Sequence, residues 1–292
     1  MDLFAPDNFN GAKLLGVFEN GTDEWHEART HGIGGSEIGT LLGLNQWASA
    51  YALYCKRLEL IPNPPLTSMA VKIGNALEQP ILDLWAEIHP EYEVFTTGTY
   101  QHAKIPYLHA NPDALAKHKE TGEWVVIEVK TSRNYWPELP PAYEAQVQHY
   151  LDVLHLKRGI LVALVGMDWT EYEIDRDDFR IENQRIAASE FWRCLQTETP
   201  PAWDGSQSTF EAVREQHPDI TDEEVEIADG YLLPLAQKAY DEAEANLLRQ
   251  KSEVMFLMGS AKHAYVEVDG KPIRIASRQA RGHGKPFLVV RK

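Results

Sequence analysis

A chain of 292 residues is long enough for one large domain, or for one domain with an appendage. Hydrophobic residues make up 43% and charged residues 25%, the balance of a globular protein, and no apolar run nears the roughly 20 residues of a membrane span. The net charge of −16 argues against indiscriminate binding to nucleic acid, because phosphates need local cations.

In chain order, Ser36 reads as the N-cap of a short helix over residues 36–42, with Gly43 placed to stop it. A second helix is expected over 50–60, closed by the proline-rich 61–65. Over 69–88 the apolar residues Ile73, Leu77, Ile81, Leu84, Trp85 and Ile88 recur at helical spacing, which puts Glu78 beside the buried face; Pro80 suits a break where a new helix begins. The pattern then changes: 94–100, 108–115 and 123–130 read as strands, with Thr121-Gly122 as a hairpin turn. A helix over 143–156, strands over 159–165 and 171–174, and an amphipathic helix over 177–196 complete an α/β (α+β) pattern, a central mixed sheet flanked by helices.

Residues 200–218 are rich in breakers and read as a connector. Beyond it come a mostly helical stretch over 221–258, a hairpin of 264–268 and 272–276 turning at Asp269-Gly270, and a basic tail. The expected division is a core domain over 1–200, a connector over 201–220 and a C-terminal helix, hairpin and tail over 221–292. Charge follows this division, since 215–246 is strongly acidic with Lys238 its one basic residue, while 261–292 is rich in Lys and Arg against Glu267 and Asp269. A basic patch on an acidic body therefore stays open. Cys55 and Cys194 are the sole cysteines, which suits buried thiols in a reducing compartment and excludes a four-cysteine zinc or iron–sulfur site. The first twenty residues lack a basic stretch followed by an apolar one, so no secretory signal is read, and a cytoplasmic location without membrane partners is expected.

The chemistry-bearing pattern is Asn111-Pro112-Asp113, then Ile127-Glu128-Val129-Lys130. Alternate residues of a strand share a face, so Glu128 and Lys130 point one way while Ile127 and Val129 face the core. Two carboxylates supply hard oxygen ligands suited to Mg²⁺ or Mn²⁺ against a substrate phosphate, and an adjacent lysine can position or help deprotonate an attacking water. A Glu-x-Lys on a strand equally describes a same-face ion pair, and an aspartate after Asn-Pro equally describes a turn. The combination with an upstream acidic helix residue and a following helix bearing Gln146 is what favours a hydrolytic metal site. Trp25 and Trp85 read as core anchors, His149 as structural, and Gly34-Gly35 as a turn, since no G-x-x-x-x-G-K-[ST] phosphate loop is present.

Further segments extend the pattern: Asp23-Glu-Trp-His-Glu-Ala-Arg29, then Gly32-Ile-Gly-Gly-Ser-Glu-Ile38, Gly74-Asn-Ala-Leu-Glu78, and Tyr143-Glu-Ala-Gln-Val-Gln148. With the two strand motifs they occur over 23–150 in an order that resembles the phage lambda exonuclease and YqaJ-type recombinase family of the PD-(D/E)xK nuclease superfamily. The resemblance implies a restriction-endonuclease-like core in which Asp113 and Glu128 ligate metal with the Val129 carbonyl. Glu78 would complete the acidic cluster directly or through water, Lys130 would orient the nucleophilic water, and Gln146 would reach the same site. It implies two Mg²⁺ or Mn²⁺ ions, and contact of Arg29 and Ser36 with a terminal 5′-phosphate, with Asn111 assisting; a guanidinium and a hydroxyl at a helix start suit a phosphate.

The implied activity is 5′-to-3′ exonuclease action on double-stranded DNA, leaving 3′ overhangs for single-strand annealing in a phage or prophage setting. The implied partners are DNA ends, two further copies in a ring-shaped homotrimer, and a single-strand annealing protein. An endonuclease or other repair nuclease of the same superfamily, and a non-catalytic DNA-binding assembly module, are the alternative readings. A Cas4-like enzyme is disfavoured by the missing cluster cysteines.

Overall fold

The computed structural model describes residues 3–18, 22–64, 67–282 and 284–291. The chain forms two compact units, Met1–Ile220 and Thr221–Lys292. The first opens with β1 (Asn8–Phe9) and β2 (Ala12–Gly16), followed by α1 (Asp23–Thr30), β3 (Ile33–Gly34), α2 (Gly35–Leu41), α3 (Ala50–Arg57) and α4 (Met69–Ile88). Five strands come next: β4 (Tyr92–Phe95), β5 (Thr99–Gln101), β6 (Leu108–Ala110), β7 (Ala114–His118) and β8 (Trp124–Ser132). The unit closes with α5 (Pro141–Val153), β9 (Arg158–Val165), β10 (Asp168–Asp175), α6 (Asp178–Gln196) and α7 (Gln207–Gln216).

Among the described residues the first unit holds two five-stranded sheets, where the sequence suggested one. The first sheet has the order β1-β2-β5-β6-β3 and the second β10-β9-β8-β7-β4. The expected strands 94–100 and 108–115 each divide at the crossing between sheets. Pro112, which lacks an N–H for a ladder, separates β6 from β7. Gly98 separates β4 from β5, and a Cβ there would lie 2.3 Å from the Gly16 carbonyl oxygen. Asn111-Pro112-Asp113 is thus the link that carries the chain from one sheet to the other.

The second sheet is mixed: β8 pairs parallel with β9 and antiparallel with β7. Val125, Ile127 and Val129 of β8 pack with Ile81, Leu82 and Trp85 of α4, while Val126 joins the core formed with Val147 and Leu151 of α5. Both faces are therefore covered, and each large apolar side chain buried this way is worth about 1.5–3 kcal/mol. Helix α4 runs through Pro80 without a break, capped at its start by Ser68. Its apolar stripe is narrower than the spacing suggested: Trp85 is fully buried, whereas Ile73, Leu84 and Ile88 are exposed. The Trp25 side chain lies outside the described residues. Cys55 and Cys194 are buried free thiols.

The stretch read as a connector contains α7, which belongs to the first unit. Ser206 caps it through the Thr209 N–H, Ala212 is buried, and the Thr209 hydroxyl donates to Ser49 Oγ at 2.8 Å, tying the helix to the start of α3. Prolines and glycine mark only its flanks; a ten-residue helix with one small apolar face gave a weak periodic signal.

In the second unit, α8 (Leu232–Met258) is followed by β11 (His263–Val268), β12 (Lys271–Gln279) and β13 (Phe287–Val290). The helix starts later than the sequence suggested. The acidic stretch 221–226 stays outside regular structure, where like charges repel and Val225 is exposed rather than packed. Asp269 and Gly270 both have positive φ, the geometry of a tight hairpin turn. The tail supplies a third strand: β13 pairs antiparallel with β12, from Phe287↔Gln279 to Val290↔Ala276.

Candidate active site

The site is built where β8 outruns its neighbour. Strand β7 stops at Ala114, paired with Ile127, while β8 continues to Ser132 alongside β9. Beyond Ile127 the β7 side of β8 has no strand partner, and the Val129 N–H donates instead to the Asp113 carboxylate at 2.7 Å. The residue just before β7 thus caps the ladder of β8. Because N–H and C=O of one strand residue point to the same edge, the Val129 carbonyl also lies on the Asp113 side.

On the α5 face of the same strand end, Lys130 donates to Glu128 Oε1, and Gln146 of α5 donates to that oxygen at 2.6 Å. Gln146 also contacts the Tyr150 hydroxyl at 2.8 Å. Glu128 Oε2 is buried without a hydrogen-bond partner. An unpartnered carboxylate oxygen in a buried site costs several kcal/mol unless a proton or a cation meets it.

The electrostatics reflect that cost. Burial, then the Asp113 charge, pushes the Glu128 carboxyl up to about 8, against the pull of Lys130. Burial likewise raises Asp113, opposed by Lys130 and by the Val129 N–H. Glu78, on α4, is pushed up to about 7 by burial and by Asp113. Burial opposes the charge on Lys130, yet Glu128 and Asp113 outweigh it and hold the ammonium well above its usual range. Three acids with one ammonium leave an excess of negative charge that a divalent cation would offset.

The donor chemistry fits such an ion. Asp113, the unpartnered Glu128 oxygen and the Val129 carbonyl are hard oxygens of the type that Mg²⁺ and Mn²⁺ prefer. Among the described residues no three acidic, histidine or cysteine side chains form a ready-made ligand set. Two carboxylates supplemented by carbonyl and water are the composition expected for Mg²⁺, which keeps much of its hydration.

A cleft of about 180 Å³ joins this cluster to the segment around α1 and α2. Asp113, Glu128, Lys130 and Gln146 line it, and so do Arg29, Ser36 and Asn111. Residues separated by up to about two-fifths of the chain are thereby brought to one place. Glu78 and Val129 are not part of the lining: Glu78 reaches the acids from the α4 side, and the Val129 side chain packs into the opposite core. Arg29 donates to Ser36 Oγ at 3.3 Å, so a guanidinium and an exposed hydroxyl stand together at the mouth.

Ser36 is not the helix cap. Gly34 occupies that place, and Glu37, three residues on, accepts from the Gly34 N–H at 2.9 Å. Its carboxylate reaches back to the cap more directly than Ser36, which is left free to face the cleft. Glu37 also pairs with Arg57 at 3.3 Å, and Arg57 donates to the Gly32 carbonyl at 2.6 Å. Arg57 thereby pins the segment bearing Arg29 and Ser36. Nothing local in the sequence announced it, because its partners are twenty or more residues away.

Tyr150, His109 and Thr99 also line the cleft and were missed. Tyr150 had a signal: it lies four residues after Gln146, on the same helical face. A Cβ at Gly35 would come within 2.4 Å of the Tyr150 ring, so only glycine admits this close approach of α2 to α5. His109 is held neutral, its pKa lowered to about 4 by burial. His149 is a core histidine that donates to the His109 carbonyl at 2.9 Å. Asp152 anchors the far end of α5 on Arg185 and Arg176; burial raises its carboxyl, but Arg185 more than compensates and its pKa is lowered.

A mixed sheet with helices on both faces, and Asp, Glu and Lys at the frayed end of adjacent strands, defines a PD-(D/E)xK-type fold. The alkaline exonuclease LHK-Exo from Laribacter hongkongensis, in its complex with dAMP, shares this fold with a TM-score of 0.50 and 24% identity, over 61% of this chain and 94% of that one. The model of the YqaJ-like viral recombinase domain family matches residues 24–160. The uncharacterized protein YqaJ of Bacillus subtilis (strain 168) is 32% identical over 211 residues, which cover 68% of this chain and 64% of that relative's length. Among the described residues no helix is long and apolar enough to cross a membrane.

Proposed function

We propose that the chain is a metal-dependent deoxyribonuclease that shortens one strand of duplex DNA from its 5′ end, leaving 3′ overhangs for annealing-type recombination. The observation that carries this reading is the convergence, in one cleft, of Asp113, Glu128 and Lys130 with the Arg29–Ser36 pair. The Laribacter protein of the same fold is an alkaline exonuclease, and its complex with the deoxynucleotide dAMP supports the reading further.

Asp113, Glu128 and the Val129 carbonyl would hold Mg²⁺ or Mn²⁺, and two ions are proposed, with Glu78 taking part directly or through water. Bound there, the ion would polarise a phosphoryl oxygen and offset charge on the departing oxygen. Lys130, fixed by Glu128, orients the attacking water. Gln146 holds the Glu128 carboxylate in place through one oxygen, leaving the other for metal. Arg29 and Ser36 receive the terminal 5′-phosphate through charge-assisted hydrogen bonds, with Asn111 beside them. That places the scissile bond a fixed distance from the end, which is what makes an exonuclease. A ring of three copies is proposed as the assembly, since cations lining a closed channel would let a net acidic protein keep hold of DNA. A single-strand annealing protein is the proposed partner for the product strand.

Linear duplexes labelled at either end, with and without 5′-phosphate, test the reading. In Mg²⁺ the 5′ label is expected to leave first, and faster from phosphorylated ends. Arg29→Ala is expected to reduce the phosphate preference by about 10- to 100-fold, the worth of a charged hydrogen bond. Equal cutting of a covalently closed circle would replace the exonuclease reading by an endonuclease one.

A further inference from the structure

The second unit carries a cationic concavity that the nuclease reading does not use. Its volume is about 480 Å³, and Lys262, His263, Arg274, Ser277, Arg278 and Arg291 shape it. The register explains the gathering. Lys262 precedes β11 at the open end of the hairpin, where its carbonyl accepts from the Arg278 N–H at 2.8 Å. Arg274 and Arg278 lie on β12 on either side of the register shift opposite Ala264 and Tyr265, and both line the hollow. Arg291 follows β13, held by its own N–H to the Ile275 carbonyl at 2.9 Å. The acids of the hairpin, Glu267 and Asp269, sit beside or in the turn at the other end.

Among the described residues, Lys262, Arg274, Arg278 and Arg291 make no ion pair, although Lys262 and Arg291 are exposed and Arg274 and Arg278 are half-buried. Arg278 uses one terminal nitrogen on the Gly259 carbonyl, and its Nε is buried without a partner. Half-burying two guanidinium groups without an acid is unfavourable on its own and suits a site that receives an anion. In a chain of net charge −16, four unpaired cations around one hollow are the reverse of the overall field. Several cations spaced along neighbouring strands suit a run of phosphates better than one compact anion.

We propose that this face of the β11–β13 sheet binds the phosphodiester backbone of DNA, as a second holding site of the same enzyme. The choice of DNA rests on the nuclease reading, whereas the anion site rests on the sheet itself. Binding of the full chain to labelled short duplexes and single strands, in EDTA and over a salt series, tests it without requiring hydrolysis. The double variant Lys262→Glu/Arg291→Glu changes two exposed side chains and should keep the melting temperature. It is expected to bind at least about tenfold more weakly, with a salt slope shallower by about two on duplex. Loss on duplex alone identifies the substrate strand pair as the ligand; loss on single strands alone identifies the product strand; loss on both identifies the backbone of either. Unchanged affinity and slope on both would overturn the proposal and leave the face to an acidic protein partner. Hydrolysis of a small phosphodiester, too short to span a holding site, should be unchanged in the variant. If the wild-type chain hydrolyses nothing, the nuclease reading fails while the binding comparison still decides this one.

Discussion

Glu128→Gln is expected to lower DNA hydrolysis by about three orders of magnitude or more, while raising the melting temperature of the metal-free protein at pH 8 and above. The two effects have one cause. Glu128 is buried beside Asp113, one of its oxygens lacks a partner, and its carboxyl is pushed up to about 8. An amide of the same shape can accept from Lys130 and Gln146 through its oxygen and place an N–H where the orphaned oxygen stood, within reach of Asp113. The charge that a metal needs is then gone, together with its desolvation cost. At about 2–4 °C per kcal/mol for a domain of this size, the gain should be several degrees by calorimetry in EDTA. The rise in melting temperature on adding Mg²⁺, present in the wild type, should vanish. A variant that loses activity because it fails to fold would melt lower, so the direction of the shift separates the two explanations.

Metal binding and hydrolysis are expected to strengthen steeply from pH 6 to 8. Glu78 and Glu128 have ordinary values of 4.5 and folded values of about 7 and about 8. Their folded values are raised, so their contribution to the stability of the metal-free protein is full below pH 4.5 and is lost as the pH rises through 7 and 8. For metal the sign reverses, because each proton must leave before the oxygen can ligate. Between pH 6 and 8 the displaced Glu128 proton alone is worth about fiftyfold in affinity. Calorimetric titration with Mg²⁺ across this range, recording proton release, checks it. A flat affinity with no proton release would show that these acids are not the ligands.

Much of the site could be read from the sequence because the chemistry is local to two strand ends. The alternation along β8 placed Glu128 and Lys130 together, and the Asn-Pro-Asp segment put an acid beside them. The three-dimensional reason was not visible: Pro112 divides what read as one strand, so the chain changes sheets and Asp113 caps the exposed edge of β8. The same kind of long-range event hid Arg57, whose partners lie in another segment, and the sheet β1-β2-β5-β6-β3, whose strands are two to five residues long. Ser36 was misjudged as a cap because Ser is a good one; Gly34 holds the cap position, and Glu37 completes the capping box from three residues on. Helix α7 and strand β13 were missed because each borrows its stability from a neighbour, α3 and β12, rather than from its own pattern.

The proposed centre stands or falls on Lys130, the group that contacts Glu128 and is closest in role to the attacking water. Release of 5′-labelled nucleotide from linear duplex, measured for the wild type and Lys130→Ala in Mg²⁺ and in EDTA, tests it most directly. The account predicts Mg²⁺-dependent release by the wild type and, with the variant folded, a loss of about a hundredfold or more. Release that persists in EDTA, or that is unchanged in Lys130→Ala, would contradict it.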